Sequence, residues 1–210
     1  MNKKFFALVA ILCMLSSLTA SAQFRRAGVV GVDVTTLNFK QDLFSVGQSV
    51  GFSAGFQGEL MFPGIGFGID FGAMYAQKGA TLHMGEREIW ASEGYGNERV
   101  YLHYLSLPVH FRFKYTRLGG IEEYVAPLVF GGPDFSILAG HGSIKRNGES
   151  AIKYAGGDLG LTVGGGFEIM QNWQLTFSYT WGMTYSMKTR LLDDFSARNK
   201  TWNVRLAYYF

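Results

Sequence analysis

Residues 174–185, QLTFSYTWGMTY, give the clearest indication of the fold. Its odd-numbered positions hold Leu, Phe, Tyr, Trp, Met and Tyr, and its even-numbered positions hold Gln, Thr, Ser, Thr, Gly and Thr. Strict alternation with a period of two residues is typical of a β-strand whose faces meet different surroundings. The bulky face of this strand is strongly aromatic.

The same alternation recurs in residues 50–62, 65–75 and 202–210. In residues 50–62 and 65–75 large apolar side chains form one face, and Gly, Ser and charged side chains form most of the other. In residues 202–210 the second face holds Asn203, Arg205, Ala207 and Tyr209. A soluble β-domain is the alternative, but it would bury the bulky face inside. Here the small polar face suits a narrow interior and the bulky face suits lipid. The pattern therefore favours a membrane barrel.

Eight strands are predicted, at about residues 27–37, 48–62, 65–77, 100–114, 123–136, 156–169, 174–185 and 201–210. The connections after the second, fourth and sixth strands are short, and the other connections are long, as in outer-membrane barrels. The predicted fold is all-β: an eight-stranded antiparallel transmembrane β-barrel in an up-and-down meander, with periplasmic termini and extracellular loops. Pro108 has no N–H to donate, which predicts a bulge in the fourth strand.

Composition agrees with a β-protein. Of 210 residues, 48% are hydrophobic, 16% aromatic and 17% charged, and 28 are Gly. Such a chain is too apolar and aromatic to be disordered. Its formal net charge of +3 is too small to indicate a nucleic-acid partner. The single cysteine cannot form a disulfide framework within the chain.

The first 22 residues are predicted to be a secretory signal peptide. Lys3 and Lys4 are followed by an apolar run over residues 5–15, and Ala20-Ser21-Ala22 forms a small-residue cleavage site. A membrane-spanning helix, the alternative, needs about 20 apolar residues. The predicted mature chain, residues 23–210, is then one barrel domain without cysteine, since Cys13 lies in the signal peptide.

Along each strand, the parity of the residue number (odd or even) predicts whether a side chain faces the lipid or the interior. This rule places a predicted polar network in the interior: Asp33, Glu59, Asp70, Arg112, Asp158, Glu168 and Arg205. Opposite charges at membrane depth should pair, because burying one alone is costly. We expect Asp33 and Arg205 to form an ion pair across the closing seam, either directly or within a small network; in the alternative, Arg205 turns to Glu168 or Asp70 and Asp33 is hydrated. Side chains can fill an eight-stranded barrel, so a polar plug is favoured, with a narrow passive pore as the alternative.

No catalytic, cofactor or metal site is predicted. A lipid-modifying enzyme, the less favoured alternative, would need a Ser and a His within hydrogen-bond reach. His103 and Ser106 should lie on opposite strand faces, and Ser106 and His110 should lie about 13 Å apart along the strand. The remaining histidines, His83 and His141, fall in predicted loops without a ligand-like spacing.

Partners are expected at the lipid boundary and at the loops. The lipid-facing strands imply outer-membrane lipid as one partner. Trp90, in the second long loop, is a candidate contact for an unknown protein, and loop packing is the alternative. The third long loop carries Lys145, Arg146 and Lys153, which could attract lipid phosphates or simply be solvated.

Three motifs carry a family resemblance. The C-terminus, with Tyr208 and Phe210, resembles the assembly signal that outer-membrane proteins present to the barrel assembly machinery. The segment YLSLPV at 104–109 resembles a stretch of the PorT-like outer-membrane β-barrel family, as do Gly131-Gly132-Pro133 and the Gly-rich stretch 160–168. This resemblance implies a location in the outer membrane and, for some members of that family, an accessory role in protein secretion. We therefore expect a structural or surface-interaction protein.

Overall fold

A computed structural model describes most of the chain after residue 22. The described residues are 23–40, 45–62, 64, 66–86, 88–92, 94–116, 119–142, 144–146, 149–150, 152–189 and 196–210. The predicted signal peptide lies outside this part of the chain and stays a prediction.

The described residues form twelve strands. In chain order they are β1 Gln23–Phe39, β2 Val46–Met61, β3 Phe67–His83, β4 Asn97–Lys114, β5 Val125–His141, β6 Lys145–Arg146, β7 Glu149–Ser150, β8 Ile152–Tyr154, β9 Gly157–Ile169, β10 Trp173–Gly182, β11 Met187–Thr189 and β12 Ser196–Tyr209. Short helical turns span Met84–Glu86, Glu88–Ala91 and Ile121–Glu123. No helix among the described residues is long and apolar enough to cross a membrane.

Eight long strands close into a barrel in the order β1-β2-β3-β4-β5-β9-β10-β12. Every neighbouring pair is antiparallel, and β12 returns to pair with β1 from Ala27↔Tyr209 to Phe39↔Ala197. The predicted eight-stranded meander is therefore confirmed. The short connections and both ends of the barrel chain lie at one end, here called the turn end. The long connections lie at the other, here called the loop end.

The strands run further towards the loop end than the alternation predicts. There β11 pairs with β12, and β8 pairs with β11, which extends the barrel wall past β10. These strands have three residues each, too few for a period-two pattern to be recognised in the sequence.

The bulge predicted at Pro108 is wrong. Pairing with β5 keeps one register from Pro108↔Asp134 to Phe111↔Gly131. Pairing with β3 lapses opposite Pro108 but resumes in the same register, so no extra residue is inserted. The missing N–H is thus accommodated by an interrupted ladder, which preserves the parity of the residues beyond it. The register shifts of β4 and β2 lie instead at His103/Tyr104 and Gln48/Ser53.

The two faces of the wall match the sequence pattern. Outward-facing rings are exposed, such as Phe56 at 71% and Phe111 at 72%. Inward-facing polar side chains are buried, because the lumen is narrow. At the loop end the inward face becomes apolar and forms a cluster, here called the loop-end seal: Leu37, Ala80, Leu82, Met84, Tyr95, Val100, Leu102, Tyr104, Ile144, Ile152, Met187 and Ala197.

Candidate functional site

A charged cluster occupies the turn-end half of the lumen. It is here called the lumen cluster and consists of Arg25, Glu59, Asp70, Arg112, Lys114 and Glu168. Inward parity on β1, β2, β3, β4 and β9 brings these side chains together. Its three cations and three carboxylates balance in formal charge.

Arg112 is the centre of the lumen cluster and is only 1% exposed. Its Nε and Nη2 atoms each lie 2.7 Å from Asp70 Oδ2, and its Nη1 donates to Glu59 Oε2. Nη1 also donates to Gln174 Oε1 at 2.8 Å and lies 3.3 Å from the Tyr209 hydroxyl. A planar guanidinium suits this role, because it presents five donors in fixed directions.

These contacts cross the whole lumen. Arg112 lies on β4 and Tyr209 on β12, and the strand order separates β4 from β12 by four steps in either direction. The two strands therefore face each other across the barrel. The Tyr209 hydroxyl continues the bridge by donating to Gln174 Oε1 at 3.1 Å, and it accepts from Gln57 Nε2 at 3.2 Å. A chain of hydrogen bonds thus joins opposite walls.

A second layer lies towards the turn end. Lys114 Nζ contacts both Glu168 oxygens, at 3.1 and 3.2 Å, and Glu59 Oε1 at 3.5 Å. Arg25 Nη1 lies 3.0 Å from Glu168 Oε2 and 3.5 Å from Glu59 Oε1, and its guanidinium stacks 4.3 Å from the centre of the Tyr209 ring. Each glutamate is therefore shared between cations from different strands.

Two cavities open at the turn end, with volumes of about 400 and 270 Å³. Gln23, Arg25, Lys114 and Thr116 line both cavities. Deeper in the lumen, between Asp70, His110 and Arg205, there is a cavity of about 20 Å³. That volume holds about one water molecule.

The seven residues of the predicted network do not form one cluster. Glu59, Asp70, Arg112 and Glu168 lie in the lumen cluster. Asp158 lies nearer the loop end, where it accepts from Asn199 Nδ2 at 2.7 Å and Thr184 Oγ1 at 3.1 Å. Lys78 Nζ lies 3.9 Å from the same carboxylate.

The predicted ion pair between Asp33 and Arg205 is wrong. The closing register places Asp33 opposite Asn203 and Arg205 opposite Gly31. Asp33 Oδ1 accepts from Asn203 Nδ2, and Arg205 Nε has no hydrogen-bond partner. Arg205 does not turn to Glu168 or Asp70 either, since no ion pair of Arg205 occurs in the described part of the chain. The alternation along a strand correctly predicts which face a residue lies on, but it does not predict how far neighbouring strands are shifted relative to each other.

Sequence reasoning missed four partners in this site: Arg25, Lys114, Gln174 and Tyr209. Lys114 shares the even parity of Arg112 and already lies within the predicted fourth strand, so the alternation alone places it inside. Arg25 shares the odd parity of Asp33 and lies two residues before the predicted first strand, so extending that strand would have found it. Gln174 and Tyr209 also face inward by the same alternation. Neither is charged, so a prediction based on charged residues alone does not include them.

The Ser and His side chains do not form a nucleophile–base pair. Ser106 faces the lumen and donates to Asp134, whereas His103 faces outward and lies 2.6 Å from the Tyr75 hydroxyl. His110 stacks on Phe130 at 5.3 Å, and its Nε2 has no partner. Among the residues described, no three His, Cys, Asp or Glu side chains are grouped so that they could hold a metal ion.

Closed antiparallel strands with an apolar outer face and a polar lumen define an integral membrane β-barrel. The sequence profile of the family described as "Outer membrane protein beta-barrel domain" matches residues 21–188, and the chain belongs to this family. It is therefore an outer-membrane protein. No curated protein matches the sequence.

Solved structures share the fold. The outer membrane protein OprG from Pseudomonas aeruginosa has a TM-score of 0.52 and 12% identity, with 90% of this chain and 96% of that chain covered. A major outer membrane protein from Thermus thermophilus has a TM-score of 0.51 and 15% identity, with 87% and 99% covered. At these identities the likeness concerns the architecture alone.

Proposed function

We propose that this protein is a closed, non-enzymatic outer-membrane barrel whose lumen cluster acts as a plug, and which serves as a structural or surface-interaction element. The observation that carries the proposal is the bridge from Arg112 on β4 to Tyr209 on β12. Side chains that meet across the lumen support a plug, because they occupy space that ions would need. A narrow passive pore would need that space to be open.

The loop-end seal supports the same proposal. Its buried members include Leu82, Leu102 and Met187, none of which is more than 1% exposed. Apolar side chains packed across the lumen exclude hydrated ions. The barrel would therefore be closed by charge pairing near the turn end and by apolar packing at the loop end.

Orientation is part of the proposal. Bacterial outer-membrane barrels have short periplasmic turns and longer extracellular loops, which would place the loop end outside the cell and the termini in the periplasm. The loops would then be available to an unknown protein partner. The resemblance to PorT-like proteins favours an accessory role in protein secretion, and loss of secreted proteins from the medium of a deletion strain would test that role.

The C-terminus is proposed to be the signal read by the barrel assembly machinery. Tyr208 faces outward on β12 with an exposure of 44%, and Phe210, directly after β12, has an exposure of 62%. The Phe210 backbone N–H donates to Arg26 O at 3.0 Å, which ties the end of the chain to the first strand. Recognition of these rings would couple assembly to closure of the barrel.

Planar-bilayer recording tests the closed lumen. Wild-type protein should give no resolvable single-channel currents. Arg112→Ala removes the bridge but leaves the loop-end seal closed, so on its own it should stay silent. Combined with Leu82→Ala and Leu102→Ala, which open the seal, it leaves Asp70 without its partner in an open lumen and should give currents that favour cations. Arg99→Ala, an exposed arginine at the loop end of the same strand, is the matched control and should stay silent. Regular wild-type currents would refute the plug and support the passive pore.

A further inference from the structure

A group of cations lies on the outer surface of the barrel at the loop end. It is here called the loop-end basic face and consists of Lys153 on β8, Lys188 on β11, and Arg198 and Lys200 on β12. Lys153, Lys188 and Arg198 are exposed, and Lys200 is half-buried. The strand order β12-β11-β8 makes these strands immediate neighbours.

The pairing register shows that the four cations share one face. Lys188 lies directly opposite Lys153 on one side and Ser196 on the other, and residues opposite each other point the same way. Arg198 and Lys200 follow Ser196 at intervals of two residues, which keeps them on that face. The intervening Met187 and Ala197 pack inward into the loop-end seal.

This arrangement is unfavourable unless an anion is present. Like charges directly opposite on neighbouring strands destabilise a sheet, and Lys153 and Lys188 are such a pair. Within the described residues, none of the four cations forms an ion pair with a carboxylate. Arg198 instead contacts Tyr185, with its guanidinium 4.7 Å from the ring centre.

Aromatic side chains mark the depth of this face in the membrane. Lys200 lies directly opposite Trp181, and Trp202 follows it by two residues on the outer face. Tyr179 packs against both tryptophans, with ring centres 4.5 and 4.4 Å away. Trp and Tyr concentrate at the level of lipid headgroups. The cations therefore begin at headgroup level and extend outward from it.

We propose that the loop-end basic face binds the phosphate groups of an anionic lipid in the outer leaflet. The cations would hold the phosphates, and Trp181 and Trp202 would pack against the sugar or glycerol part and the upper acyl chains. Bound phosphate would remove the repulsion between Lys153 and Lys188. In the cell this inference rests on the proposed orientation, with the loop end outside, and it does not depend on a closed lumen.

The opposite side of the barrel offers a matched control. Arg99 on β4 is exposed and outward-facing at the loop end, and its Nη1 lies 3.2 Å from the Tyr101 hydroxyl. Since β4 faces β12 across the barrel, Arg99 lies away from the loop-end basic face. Arg26 is exposed on the outer face at the turn end.

The test is binding of diphosphorylated lipid A to the purified mature chain in neutral detergent micelles, measured by native mass spectrometry. The variant Lys153→Gln/Lys188→Gln should bind about 25-fold more weakly than wild type, or about fivefold for each cation removed. The control Arg26→Gln/Arg99→Gln should bind like wild type. Higher salt should weaken wild-type binding more than binding by the lysine variant.

Three results would overturn the proposal. These are equal affinity of the lysine variant and wild type, equal affinity of wild type for dephosphorylated lipid A, and equal loss in the control. Binding of inorganic phosphate alone is measured in the same way. If it binds as tightly as the lipid, the loop-end basic face is a site for free phosphate instead. None of these readouts involves conductance, so they are independent of the test of the closed lumen.

Discussion

Replacing Arg112 with Met should destabilise the barrel more than any change to an exposed cation. Methionine keeps much of the apolar length of the side chain but removes the charge and all five donors. Asp70 would then have no hydrogen-bond partner, because Oδ2 is held by Arg112 and Oδ1 already has none. Glu59 would keep Lys114 and Arg25, each at 3.5 Å.

The expected cost follows from that difference between the two carboxylates. Removing one partner of a buried ion pair costs about 3–5 kcal/mol, since the remaining charge is uncompensated. Asp70 should account for most of this cost. Adding Asp70→Asn to Arg112→Met removes the uncompensated charge, so the double variant should be more stable than Arg112→Met alone.

Urea unfolding of the protein in lipid vesicles, followed by tryptophan fluorescence, measures these free energies. Arg99→Met is the control and should change the free energy of unfolding by no more than about 0.5 kcal/mol, as expected for an exposed position. The reasoning is refuted if Arg112→Met also stays within about 0.5 kcal/mol of wild type, or if Asp70→Asn lowers stability further in the Arg112→Met background.

Three further outcomes are expected. In a double-mutant cycle on unfolding, Asp33→Ala and Asn203→Ala should couple by about 0.5–3 kcal/mol, because Asn203 donates to Asp33 across the seam; additive losses would contradict this contact. Deleting Phe210 should reduce the amount of folded protein in outer-membrane fractions more than Phe177→Ala, which alters a lipid-facing ring away from the terminus; equal amounts would remove Phe210 from the assembly signal. Leu102→Ala, in the loop-end seal, should cost about 2–5 kcal/mol of unfolding free energy, and a cost near zero would show that the seal is not packed.

Alternation predicts the walls of this barrel well because lipid and lumen impose opposite demands on successive residues. Arg112 lies beyond Pro108, yet the alternation still predicts correctly that it faces inward. The hydrogen bonds between strands are interrupted at Pro108, but no extra residue is inserted there. The same rule places Glu59, Asp70 and Glu168 inside. A separate pattern, the alternation of short and long connections, predicts an even number of strands.

Parity does not predict which inward residues meet. Contacts depend on the stagger between strands, and a shift of two residues preserves every face while changing every partner. Asp33 therefore meets Asn203 rather than Arg205. Contacts across the lumen, such as Arg112 with Tyr209, depend on barrel width and strand tilt, neither of which is encoded in one strand.

Solvent access to a single lumen cysteine tests the closed barrel most directly. The predicted mature chain has no cysteine, since Cys13 lies in the predicted signal peptide, so Ser178→Cys would introduce one thiol at an inward position that is 2% exposed. Gln171→Cys, at an exposed turn, is the reactive control. With the protein in lipid vesicles, a small cationic methanethiosulfonate reagent should modify Gln171→Cys rapidly and leave Ser178→Cys unmodified until the protein is unfolded. Rapid modification of folded Ser178→Cys would contradict a closed lumen.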